Sequence, residues 1–153
     1  MYTIRPITTE EIEDYLQLRF KEYQLVGKAS SLEDVIFFNE DLCLRVGLFF
    51  NGDLVGGILL HPAGAGELDT LLNGTITGVY CEASRFFISE GHRTRKVRRL
   101  VFDYVWDWAR AEGYRKMYIN TTLKLAPLYR IELGFRALAG LEFCHPSYDY
   151  IPS

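Results

Sequence analysis

Two periods of apolar and polar residues run through this chain, and the switches between them mark its elements. Residues 2–5 alternate as a short strand. Ile12, Tyr15, Leu16, Phe20 and Tyr23 then recur at helical spacing. Thr8, with Glu11 three residues on, forms a capping box that predicts where this helix starts. Arg19 falls on the same stripe. A charge on an apolar face needs a partner, so Arg19 is either ion-paired in the core or reaches a ligand. Residues 27–41 read as a loop with a short helix. Residues 42–50 and 54–60 are apolar, strand-like runs, and Asn51-Gly52 between them predicts a hairpin because both residues tolerate positive φ. A loop at 61–66 and a helical turn at 68–72 follow.

Residues 75–88 read as one long strand with room for a bulge. The clearest helix is 94–112, with Val97, Leu100, Val101, Tyr104, Val105 and Trp108 as its expected buried stripe and Gly113 as its stop. A strand at 116–121 comes next. A short helix at 126–133 is entered through Pro127 and closed by Gly134. Residues 135–138 and 142–150 read as a closing pair of strands. This order implies an α/β (α+β) fold: one domain, 1–153, with a mixed, twisted central sheet and helices on both faces.

Composition narrows the function classes. Hydrophobic residues make up 48% of 153 positions and the mean hydropathy is -0.02, which suits an ordinary globule with a sizeable core. A net charge of -3 excludes a general nucleic-acid binder. Cys43, Cys81 and Cys144 are odd in number and widely spaced, as expected of reduced thiols in a cytoplasmic protein. No signal peptide and no apolar run long enough to span a membrane are recognisable. His61, His92 and His145 are scattered, so no metal site is expected.

The candidate chemistry lies where the long strand meets the long helix. Positive charge is concentrated there, in Arg93, Arg95, Lys96, Arg98 and Arg99. A helix start offers free N–H groups and a positive dipole end, so Arg93, Thr94, Arg95, Lys96, Val97 and Arg98 suit a pyrophosphate. A solvated helix face is the plainer reading of the same run. Glu82 and Arg85 are three residues apart and face opposite ways on an ideal strand; a bulge would bring them to one face. Glu82 is then either a group that orients or deprotonates an amine, or a structural carboxylate paired with Arg19 or Arg85. Cys81 has no histidine placed to activate it and reads as a packed thiol.

These stretches resemble the GNAT acyltransferase superfamily. Ile88, four residues, Arg93 and the turn through Arg98 match its phosphate-binding motif, with Lys96 and Arg98 standing where the family usually has glycine. Leu128-Tyr129-Arg130-Ile131-Glu132-Leu133-Gly134-Phe135 resembles its second motif. Within the superfamily, Glu82-Ala83-Ser84-Arg85-Phe86, Leu18-Arg19 with Tyr23, and Leu71-Leu72-Asn73-Gly74 are similar to the acyl-homoserine-lactone and N-acyl amino acid synthases. The chain is short for that branch and lacks its arginine near Leu60; Thr122 stands where the superfamily often has asparagine.

The resemblance implies a splayed strand pair, 75–89 and 116–121, that admits the donor. It implies N-acyl transfer from a thioester, on coenzyme A or acyl carrier protein, to a small amine, with no tightly bound cofactor. Phe87, Ile88 and Ser89 would hold the donor's pantetheine arm and carbonyl. Tyr129 would protonate the departing thiolate, Glu82 would serve the amine, and Arg19 and Arg85 would contact the acceptor. An acidic carrier protein docking on the basic turn would make the chain an autoinducer or N-acyl amino acid synthase; an idle binding module is the reading from another class. The oligomeric state is left open, a homodimer included.

Overall fold

The computed structural model describes residues 1–27, 29–37, 39–66, 80–119 and 125–136. Strand β1 (Tyr2–Pro6) leads through a 3-10 turn (Thr9–Glu11) into helix α1 (Ile12–Leu25). Two further 3-10 turns (Leu32–Val35 and Glu40–Leu42) precede β2 (Leu44–Phe50) and β3 (Asp53–His61). Then come β4 (Cys81–Ile88), α2 (Arg95–Ala111), β5 (Met117–Tyr118) and a π-helical turn (Leu128–Glu132). The sheet order is β1-β2-β3-β4-β5. The first three pairings are antiparallel and β4–β5 is parallel, so the sheet is mixed as the element order implied.

Local chemistry sets most boundaries. The Glu11 carboxylate accepts from the Thr8 amide at 2.8 Å and from the Arg5 guanidinium at 2.8 and 2.9 Å, fixing the entry to α1. Asn51 and Gly52 turn the β2–β3 hairpin with φ of 51° and 90°. Thr94 caps α2 by accepting from the Val97 amide at 3.2 Å, and Gly113, at φ 85°, ends it.

The two sheet faces have separate cores. On one, α2 buries Val97, Val101, Phe102, Val105 and Ala109 against Val46, Leu48, Ile58, Leu60, Ala83 and Ile88. Leu100, expected in this stripe, is 37% exposed. The buried row runs 97, 101, 105, 109 at four-residue steps, and Phe102 rather than Leu100 flanks it. On the other face, α1 packs Tyr15 and Tyr23 with Val35 and Phe87. Gly57 permits this contact, since a Cβ there would sit 2.4 Å from the Tyr15 ring.

Strand β4 carries the expected bulge. Its register against β3 shifts between Gly57 and Leu59, and Arg85 takes φ 53°, a left-handed conformation that a bulge tolerates. Cys81, Ala83 and Ile88 belong to the α2-side core, and Phe86 packs on Phe102. Ser84 meets His61, Arg85 donates to the Val35 carbonyl, and Phe87 lies in the α1-side core. The bulge thus turns Arg85 to the face that Glu82 and Ser84 share. The helical turn expected at 68–72, the motif at 71–74, residues 75–79 of the long strand, residues 120–121 of the strand at 116–121, residues 137–138 of the strand at 135–138 and the strand at 142–150 lie outside the described residues, while Tyr80, Lys116, Ile119, Phe135 and Arg136 are described and are not strand. So do Thr122, Cys144 and His145.

Candidate active site

Strands β4 and β5 pair at Cys81↔Met117 and Glu82↔Tyr118, and beyond these β4 continues to Ile88 with no β5 partner among the described residues. Residues 120–121 of the strand expected to splay from β4 lie outside the described residues. The Ser89 amide donates to the Val55 carbonyl at 2.8 Å, so it points toward β3 and is not available to a ligand. By strand alternation the Ile88 amide points the other way, toward the β5 side of β4. Of the three positions expected to hold a donor, Ile88 therefore has the open amide, and Phe87 contributes a ring to the α1-side core.

The basic turn divides its labour. Arg93 donates to the Ile88 carbonyl at 2.7 Å and pairs with Glu22 at 3.2 Å. Arg98 grips Glu132 with both ends of its fork, at 2.7 and 2.8 Å. Arg99 donates to the Glu132 carbonyl at 3.1 Å. Arg98 fills the place of an expected glycine, yet its guanidinium is spent on the π-helical turn. The hydrogen bond from Arg98 holds the Glu132 carboxyl below the usual carboxylate range. Arg95 and Lys96 are exposed, while Val97 is buried and its amide is taken by the Thr94 side chain. An anion at this helix start would meet Arg95 and Lys96.

Tyr129 sits on the α2 face. Its ring lies edge-on to Phe102 and Phe135, each at 6.0 Å. Among the described residues its hydroxyl has no hydrogen-bond partner, and burial pushes the phenol above its ordinary pKa. The Arg98–Glu132 clamp ties this turn to the start of α2.

The α1 face holds a buried polar cluster. Arg19 is fully buried; it donates to Glu40 at 2.7 Å and to the Val35 carbonyl at 3.0 Å. Of its two sequence readings, the core ion pair is the one formed. Glu40 also accepts from Arg45 at 2.6 Å and from the Phe37 amide at 3.1 Å. Glu82 is 2% exposed and stands opposite His61 in the β3–β4 register. Arg85 is 8% exposed. The structure thus brings Glu82, Arg85 and Arg19 to one face and places Tyr129 on the other, with the open edge of β4 between them.

Sequence reasoning missed His61, Ser84 and Glu40 as members of this cluster. Ser84 lay inside the Glu82–Phe86 motif. His61 showed only its in-phase position at the end of an apolar strand, and Glu40 lay in a loop with no periodicity. Cys81 is buried, and burial pushes its thiol to about 11, consistent with a packed, unreactive sulfur. Among the described residues no His, Cys, Asp and Glu group could hold a metal, and no helix is long and apolar enough to cross a membrane.

The acetyltransferase (GNAT) family model matches residues 7–135. No curated protein matches the sequence. Among solved structures, FeeM, an N-acyl amino acid synthase from uncultured soil microbes, superposes with TM-score 0.80 at 18% identity, over 99% of this chain and 87% of that one. ElaA from Escherichia coli gives 0.71 at 14% identity, over 99% and 95%. A predicted acetyltransferase from Clostridium acetobutylicum, with acetyl-CoA, gives 0.65 at 14% identity, over 95% and 96%.

Proposed function

The chain belongs to the GNAT acetyltransferase family, whose members move an acyl group from acyl-CoA to an amine, and from that premise we propose that it N-acylates a small amine in a ternary complex. The observation that carries the proposal is that the described β4–β5 pairing stops at Glu82↔Tyr118 while β4 runs on to Ile88. A splay beyond that point would offer the Ile88 amide to the donor's pantetheine arm, and donors fixed in this way act on charge that develops at a thioester carbonyl. The phosphates would lie at the α2 start, on Arg95 and Lys96. Tyr129 would return a proton to the sulfur, and Glu82 and Arg85 would hold the amine from the opposite face.

A longer acyl chain, delivered by an acyl carrier protein, is the narrower form of the reading. The exposed Arg95, Lys96 and Arg99 favour it, because an acidic carrier would dock on that cluster. The fold shared with FeeM is compatible with it.

Binding is tested first by thermal shift with acetyl-CoA, a long-chain acyl-CoA and an acylated carrier protein. A true donor present at 100 times its Kd should stabilise the protein by about 2.7 kcal/mol. A flat panel would exclude the donor site. The Arg95→Ala/Lys96→Ala double variant should weaken donor binding by roughly tenfold, about 1.4 kcal/mol, and the loss should shrink as salt rises. Unaltered affinity would make these residues a solvated face.

A further inference from the structure

The polar cluster under α1 contains a hydrogen-bonded chain with a fixed direction. His61, fully buried at the end of β3, has Nδ1 3.1 Å from the Ala65 carbonyl oxygen. A carbonyl only accepts, so Nδ1 carries the proton of the neutral ring. Cys43 Sγ lies 3.4 Å from the same nitrogen, and its own hydrogen has the Asn39 carbonyl at 3.6 Å. Nε2 is left with a lone pair, and it meets Ser84 Oγ in a short hydrogen bond. The hydrogen in that bond must come from the serine hydroxyl. Ser84 Oγ keeps its lone pairs, and Ser84, unlike His61, is partly exposed.

We propose that Ser84 Oγ takes the proton shed by the acceptor amine while passing its own to His61 Nε2. The proposal rests on the acyltransferase reading above. The amine nitrogen bonds to the thioester carbonyl carbon, and the carbon–sulfur bond breaks. The N–H proton moves to Ser84 Oγ, and the hydroxyl proton moves to Nε2. The sulfur takes its proton from Tyr129, and both ends reset through solvent. Ser84 is the catalytic residue of this step because it touches the amine; His61 acts through it.

Burial, then the charges of Glu40 and Glu82, push the Cys43 thiol up to about 12, against the smaller opposing effects of Arg45 and Arg85. The thiol sulfur lies against Nδ1, so a protonated Cys43 sits beside the ring. The ring of Phe37, edge-on at 5.0 Å, covers the imidazole. The bulge that turns Arg85 leaves Ser84 beside Glu82 on the acceptor face.

Two measurements decide it. In Ser84→Ala, kcat should fall about 10²-fold or more, within the range of general-base catalysis, while donor Kd is unchanged, and Ser84→Thr should restore most of the rate. Full kcat in Ser84→Ala, or no rescue by threonine, overturns the relay. Nitrogen-15 NMR of the His61 ring in the wild-type protein should show Nδ1 protonated and Nε2 as an acceptor whose resonance moves in Ser84→Ala. A proton on Nε2 overturns the relay while leaving acyl transfer intact. A wild type inert toward every amine and thioester overturns the acyltransferase reading instead, and the relay falls with it.

Discussion

Glu40→Ala is expected to cost about 3–5 kcal/mol of unfolding free energy, because it strands a buried cation. Arg19 is fully buried, and Glu40 is its counter-charge, 2.7 Å away; Arg19 also donates to the Val35 carbonyl and lies over the Tyr15 ring. Among the described residues its Nε and Nη2 have no hydrogen-bond partner, so the guanidinium is only partly satisfied by them. Removing the carboxylate also releases Arg45 and the Phe37 amide. Denaturant unfolding at neutral pH would measure the loss, with an unchanged m-value showing that the transition stayed two-state. Wild-type stability in Glu40→Ala would mean that water reaches Arg19.

The same carboxylate gives the acid limb of stability a definite sign. Burial works to raise the Glu40 pKa, but the charge of Arg19 and hydrogen bonds from Arg19, Arg45 and Phe37 outweigh it and hold it below the ordinary carboxylate value. A depressed folded pKa contributes stability that is complete above the unfolded value of about 4.3 and is lost as pH falls through the folded value. Glu40→Gln keeps the shape and removes the titration, so its stability should fall less steeply than the wild type's below about pH 4.3.

What was legible in the sequence followed from local rules. The hairpin at Asn51-Gly52, the Thr8–Glu11 capping box, the Gly113 stop and the apolar strand runs each depend on neighbours within a few residues, and the structure has all of them. The bulge in β4 was readable too, because Glu82 and Arg85 could share a face only through one. Long-range pairing was not readable. Nothing local ties Arg98 to Glu132, 34 residues on, so a basic residue in place of a glycine looked like a phosphate ligand. Glu40 finding Arg19 and His61 finding Ser84 are likewise products of the fold. The phase of α2 erred for a related reason. Leu100 and Phe102 are equally apolar, and the sheet decides which of them is buried.

Tyr129→Phe should lower kcat by about 10²–10⁴-fold, roughly 2.7–5.4 kcal/mol of barrier, with donor binding nearly unchanged. The substitution removes one oxygen, and the ring keeps its edge-on contacts with Phe102 and Phe135, so the π-helical turn and the Arg98–Glu132 clamp should survive. At first sight the raised phenol pKa argues against an acid role, because a thiolate with a reference pKa of about 8.5 is the weaker base. Burial acts on both partners, however. The burial that desolvates the phenol would also desolvate a sulfur departing beside it and raise its proton affinity, so the mismatch narrows. The raised pKa also keeps Tyr129 protonated across the working pH range, so it should add no alkaline limb to kcat. Steady-state kinetics with a titration of the free thiol product would measure the effect. Full turnover in Tyr129→Phe would mean that water or the carrier delivers the proton, and Tyr129 would then be a packing residue of the α2 face.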